Sequence, residues 1–255
     1  MVSRFHLQRV FKEQMGMNIY ESIKSIRLQK AASLLLTNSG STITEVANMC
    51  GYSSQTSFIR VFKERFSMTP TTWRKGGFKR YTSQVISSSA TASISQANFE
   101  ALEPAIVKQP EIKAYYIRHK GYSKKVKQVW QKLQAWVYTN NVEEYDSIGL
   151  YHDNPIVTPL HSCYYVASIA PKVIKENFET RLPFFTIPSG IFAKFDVSGK
   201  YGDILKLIEW AYQEWLPQSG YEATTLPSYS IFKKNHFLEE DEKFIAQYYL
   251  PIRLR

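Results

Sequence analysis

The stretch ITEVANMCGYSSQTSFIRVFKERFSMTPTTWRK, residues 43–75, decides how this chain is read. Thr42 stands just before it and Glu45 three residues further on. That is the spacing of a capping box, in which the hydroxyl accepts from an orphan helix amide and the carboxylate reaches back to the cap. Gly51 follows Cys50 where a tight turn requires positive φ, and Ser53 or Ser54 is placed to cap a second helix. Within that helix Phe58, Val61, Phe62 and Phe66 recur at helical spacing and predict a core face, which leaves Gln55, Thr56, Ile59, Arg60 and Lys63 on the others. The prediction is a helix, a short glycine turn and a helix whose N-terminal side chains suit the major groove of DNA. Thr69 and Pro70 then read as the N-cap and first position of a terminal helix through Trp73 and Arg74.

The pentapeptide RVFKE occurs twice, at Arg9–Glu13 and at Arg60–Glu64. Ser3, Leu7 and Met17 match Ser54, Phe58 and Met68 at the same offset, so the repeat is a duplicated supersecondary unit. The first copy predicts a helix from Ser3 to Met15. The counterpart of the scaffold helix Thr42–Met49 would fall before Met1, so this first reading unit is expected to be incomplete at its N-terminus and weakly supported. Between the copies, Asn18 to about Thr37 predicts one long amphipathic helix with Ile23, Ile26, Ala31 and Leu34 or Leu35 on its apolar side. It would set the spacing of the reading helices, which must be about 34 Å to enter successive major grooves on one face of a duplex.

Charge follows the same division. The net charge is +10, and residues 1–81 alone carry 13 Lys or Arg against 4 Glu, so the other 174 residues are close to neutral. A field concentrated in that way attracts polyanions and fits double-stranded DNA as a partner. No apolar run is long enough to cross a bilayer and the N-terminus lacks a secretory pattern, so a cytoplasmic protein without membrane contact is expected. Cys50 and Cys163 are too few for a disulfide framework and read as buried thiols.

From Tyr81 to about Glu103 the composition shifts to Ser, Thr, Ala and Gln, which predicts a linker. The expected domains are 1–80 (helical), 81–108 (linker) and 109–255. The last contains a weaker duplication. Each copy offers a strand (Ile112–His119; Ile191–Val197), a Gly-Tyr turn and a Trp-rich helix. A second strand follows (Ser147–Tyr151; Ser228–Phe232), then a third bearing a tyrosine pair (Tyr164-Tyr165; Tyr248-Tyr249). Two βαββ units predict one antiparallel sheet with both helices on one face and a pseudo-twofold concave surface between them. The fold class is thus α plus (α+β): an all-α tandem helix-turn-helix domain followed by a duplicated βαββ domain.

The strings SRFHLQRVFKEQMGMNIYESIKSIRLQKAASLLL and ITEVANMCGYSSQTSFIRVFKERFSMTPTTWRK resemble the AraC/XylS-type DNA-binding domain over about the first 75 residues, and within it the MarA, SoxS and Rob group. IGLYHDNP at Ile148–Pro155 and the terminal YYLPIR resemble the GyrI-like effector-binding domain found in Rob and BmrR. The resemblance implies a one-component regulator, more an activator than a repressor, that binds DNA as a monomer, works with RNA polymerase and senses a small effector or a protein.

It further implies that Phe5, Gln8 and Arg9 contact bases in copy one, with Arg4 and Lys12 near phosphates. Gln55, Thr56 and Arg60 are the matching positions in copy two, flanked by Ser54 and Lys63. Arginine can donate twice to guanine, glutamine can pair with adenine, and phenyl or threonine methyl groups can meet a thymine methyl. Against this, Phe5 also reads as a brace for its own helix, and Arg9 and Arg60 could pair with Glu13 and Glu64 four residues on. In the GyrI-like pattern a glutamate usually stands where this chain has Ser230, which weakens the case for a cationic ligand. A pocket is expected from some of Trp130, Trp136, Trp210, Tyr229, Ser230 and Phe232, though each aromatic alone also reads as core.

No metal spacing among the five histidines, no nucleophile with a base partner and no phosphate-cradling glycine motif is visible, so neither catalysis, a metal nor a cofactor is expected. The rival function is a ligand-sequestering or protein-inhibiting module with a vestigial DNA-binding half.

Overall fold

The computed structural model describes residues 3–87, 97–173 and 180–255. Its first part is helical: α1 (Arg4–Met15), α2 (Ile19–Thr37), α3 (Ile43–Met49), α4 (Gln55–Phe66), the single turn α5 (Pro70–Thr72) and α6 (Phe78–Ser87). Local chemistry sets the boundaries. Ser3, Asn18, Thr42, Ser54 and Thr69 each cap a helix through a side-chain oxygen, and the capping box of Thr42 and Glu45 is present in both directions. Thr42 N donates to Glu45 Oε2 at 2.6 Å and Glu45 N to Thr42 Oγ1 at 3.1 Å. Gly51 has φ of 79°, and a β-carbon there would press on the Arg27 guanidinium.

The second part is a curled antiparallel sheet. Its strands are β1 (Ala105–Gln109), β2 (Ile112–Lys120), β3 (Tyr145–Tyr151), β4 (Tyr164–Pro171), β5 (Phe184–Ile187), β6 (Gly190–Lys200), β7 (Tyr221–Ala223), β8 (Ser228–Lys234) and β9 (Lys243–Leu254). They lie in the order β1-β6-β9-β8-β3-β4-β2-β5, with β7 paired to β9. The two βαββ units therefore meet at β8 and β3, related by a pseudo-twofold axis through the pair Gly149 and Ser230. A β-carbon on Gly149 would collide with Tyr165 and Phe232, so only glycine fits at this centre.

Helix α7 (Val126–Thr139) follows β2. Its counterpart begins as α8 (Asp203–Trp210), widens into a π-turn over Ala211–Trp215 and ends in the short α9 (Leu216–Gln218). Both helices pack on the sheet face carrying Tyr165, Phe195, Phe232 and Tyr248. The opposite face encloses a smaller cluster with Phe192, Tyr229 and Tyr249.

Two sequence expectations need adjustment. The stretch read as a linker carries regular structure at both ends: α6 continues through Tyr81 to Ser87, and β1 begins at Ala105 as the partner of β6. The SSSATASIS segment at its centre lies mostly outside the described residues. The sheet also contains β1, β5 and β7 beyond the strands that the repeat predicts, because pairing with distant edges, which local periodicity does not encode, recruits them.

Candidate functional site

Helix α4 has one buried face and one solvated face. Phe58, Phe62 and Phe66 are fully enclosed. Phe62 meets Phe58 at 5.5 Å, Phe66 at 4.6 Å and Trp73 at 5.7 Å, and Tyr81 from α6 closes the far end against Trp73 at 5.2 Å. The Trp73 indole donates to the Ala32 carbonyl at 3.0 Å, which ties this ladder of rings to α2. A rigid aromatic backing of this kind holds the outer face in place.

On that outer face Ser54, Gln55, Thr56, Arg60 and Lys63 are all exposed. Ser54 caps the helix through Ser57 N. Arg60 does not pair with Glu64, whose carboxylate faces Lys24 at 3.6 Å instead. The guanidinium fork therefore has no ion-pair partner among the described residues.

In α1, Arg4, Phe5, Gln8, Arg9 and Lys12 are likewise exposed. Phe5 is 71% exposed, so it does not brace the helix against a core; the Arg4 guanidinium lies 5.1 Å from its ring. Arg9 is the counterpart that is engaged, 3.9 Å from Glu13 and 3.4 Å from His6 Nδ1. The predicted contact residues of both copies thus lie at the surface, but only those of the second stand on a packed base.

The residues expected to line a pocket are divided by the sheet. Trp130 and Phe232 meet edge to face at 6.1 Å under the helices, and Ser230 on the same face shares a 3.1 Å hydrogen bond with Tyr151. Tyr229 lies on the opposite face, stacked on Tyr249 at 4.8 Å. Trp136 donates to Thr180 Oγ1 at 2.9 Å, while Trp210 packs edge-on to Phe195, towards the other helix.

What the sequence reading missed is how many phenols surround the centre. Tyr122, Tyr151, Tyr165 and Tyr248 are buried there, and burial raises the pKa of every one, so all stay neutral. His236 lies beside them among Tyr201, Phe237 and Phe244, where burial drives its imidazole down to about 3. The tyrosine pairs of the repeat were the available signal for this cluster. Both cysteines are buried, and burial pushes the Cys50 thiol up to about 12, which makes it unreactive.

A profile of the GyrI-like small molecule binding domain matches residues 102–253. The chain belongs to the GyrI-like family. Residues 1–76 match a helix-turn-helix domain, here of AraC type. Over 75 residues, 29% of this chain, it is 41% identical to the probable transcription factor PqrA of Proteus vulgaris, covering 61% of that protein. Over 73 residues it is 41% identical to the xylose operon regulatory protein of Escherichia coli K12, covering 18% of it. The chain thus matches less than two thirds of the length of these relatives. A solved complex described as EcmrR-DNA in EcmrR-RPo aligns with 100% of this GyrI-like chain and 86% of its own, with a TM-score of 0.50 and 14% identity, a likeness of fold. No helix among the described residues is long and apolar enough to cross a membrane.

Proposed function

We propose that this protein is a sequence-specific transcription regulator that binds double-stranded DNA through its AraC-type domain and senses a small ligand through its GyrI-like domain. The observation that carries the DNA reading is the outer face of α4, where Gln55, Thr56, Arg60 and Lys63 project from a helix fixed by buried rings. Arg60 reads a base from within the major groove, and Lys63 neutralises a phosphate. Helix α1 supplies the second, weaker contact through Phe5, Gln8 and Arg9, with Arg4 and Lys12 at the backbone.

An activator working with RNA polymerase fits relatives that include a protein named as the transcriptional activator RhaR. In the GyrI-like half, Trp130, Trp136, Trp210, Ser230 and Phe232 are the expected ligand residues on the helix-bearing side, with Tyr229 on the other. Ser230 supplies no charge there, which weakens the case for a cationic effector and leaves aromatic rings as the attraction for one.

Selection of bound sequences from random duplexes, followed by titration of the winner across salt, tests the proposal. A preferred site with steeply falling affinity as salt rises is the expected result. Equal affinity for every duplex would overturn it and leave ligand sequestration as the surviving reading.

A further inference from the structure

The DNA-binding and GyrI-like domains are stitched together at the C-terminal end of α2. Asn38 is fully buried, and its side-chain amide donates to the Ala223 carbonyl and accepts from the Ala223 amide, both at 3.2 Å. One side chain thereby imitates a paired strand residue along β7. Thr37 orients it, donating to Asn38 Oδ1 at 2.6 Å. Four residues earlier, Ser33 Oγ accepts from Asn154 Nδ2 at 2.9 Å.

Beside this seam lies a cleft of about 80 Å³, walled by α2 on one side and by the turn from β7 into β8 on the other. The enclosed part has room for a few waters, and because the cleft opens to solvent a compact organic acid can seat its charged head there with its body at the mouth. Ile26, Leu226 and Pro227 give it apolar surface, while Lys30, Gln29 and Thr225 give it donors. No carboxylate lines it, and none of the ion pairs found among the described residues engages Lys30. The acid next to the lining residue His152, Asp153, is already used, accepting from Tyr164 N at 2.6 Å and facing His152 Nδ1 at 3.5 Å. Tyr151 also lines the cleft and is bonded to Ser230, so the space lies one hydrogen bond from the centre of the sheet.

We propose that this cleft is a ligand site built by both domains, which takes a small carboxylic acid with a compact apolar body. The carboxylate pairs with the Lys30 ammonium, and the body rests on Ile26, Leu226 and Pro227. Such a ligand needs α2 and the GyrI-like sheet together, so binding there tightens the seam. Helix α2 also joins the two reading units, and through it occupancy bears on how α1 and α4 are held. This last consequence rests on the regulator reading; the binding site itself does not.

Benzoate titrated into the full chain by calorimetry, with benzyl alcohol and benzylammonium as uncharged and cationic counterparts, tests the site. Benzoate should saturate, with the two counterparts about tenfold or more weaker. Lys30→Met should weaken benzoate by about tenfold, the scale of one charge-assisted contact, and Lys30→Arg should restore most of the loss. Lys30 is exposed, so neither variant disturbs the core. Absence of benzoate binding, preference for benzylammonium, or affinity unchanged in Lys30→Met would each overturn the proposal. A protein that binds benzoate through Lys30 but prefers no DNA sequence would keep the site and sink the regulator reading.

Discussion

Helices α1 and α4 share five identical residues in a row and equivalent serine caps, yet they stand in opposite relation to the core. Leu7 is 54% exposed where its counterpart Phe58 is 0% exposed, and Phe11 is half-buried where Phe62 is 0% exposed. Helix α3 packs beside α4, and Tyr52 from the turn reaches the Phe58 ring at 5.2 Å. No side chain described in α1 is buried. The difference teaches that a reading helix is made by its backing as much as by its outer face. The same RVFKE string is a fixed platform in one place and a lightly held helix in the other.

Truncating the matched phenylalanines should break that comparison most sharply. Phe62→Ala removes the hub of the ring ladder and should cost about 3–5 kcal/mol in denaturant unfolding. Phe11→Ala should cost less than about 1 kcal/mol, because little packing is lost at a half-buried site. Equal costs would mean that α1 is held as firmly as α4.

The next effect concerns DNA. Arg60→Ala should lose about 1–3 kcal/mol on the preferred site and relax the choice of base at one position. Arg9→Ala should lose less, since its guanidinium must leave His6 and Glu13 and the helix must be ordered on binding. Competition titrations of both variants on one duplex decide the order. A larger loss from Arg9→Ala would assign the main contact to α1.

How much of this was legible in the sequence depended on the range of the forces involved. Caps at Thr42 and Ser54 and the Gly51 turn are local chemistry, and they appear where the residues placed them. The βαββ repeat was readable from strand, turn and tyrosine-pair order. Period-two alternation already contained the separation of Tyr229 from Ser230 and Phe232, since neighbours on a strand point to opposite faces. Grouping them as one pocket wall overlooked that signal. The wide turn at Ala211–Trp215, the recruitment of β1 and the amide clamp of Asn38 on Ala223 depend on partners far away in the chain, and no local pattern announces them.

Smaller effects sharpen the contrast at the helix starts. Ser54→Ala should cost about 1 kcal/mol of global stability, the usual loss when an N-cap oxygen is removed. Ser3→Ala removes an equivalent bond, from His6 N at 3.2 Å, but should only increase fraying of α1 in amide exchange, because that helix opens without the core. A matching loss of global stability from Ser3→Ala would contradict this.

The smallest expected effect is a pH response carried by the scaffold helix α3, which stands beside α4. Hydrogen bonds from the Thr42 amide and hydroxyl hold the Glu45 carboxyl below its ordinary value of 4.5. A depressed carboxylate supports the fold fully above the unfolded value and loses that support as pH falls through the folded one. Amide protection at the start of α3 should therefore decline as the pH drops below about 4.5. In Glu45→Gln, which can still accept but does not titrate, that decline should vanish. Helix α1 has His6, not a glutamate, at the corresponding third position after its cap, so its first turn has no carboxylate step to lose. Site-resolved exchange across this range would separate the two starts. An equal decline in α1 would show that the acid response is global and does not arise at the capping box.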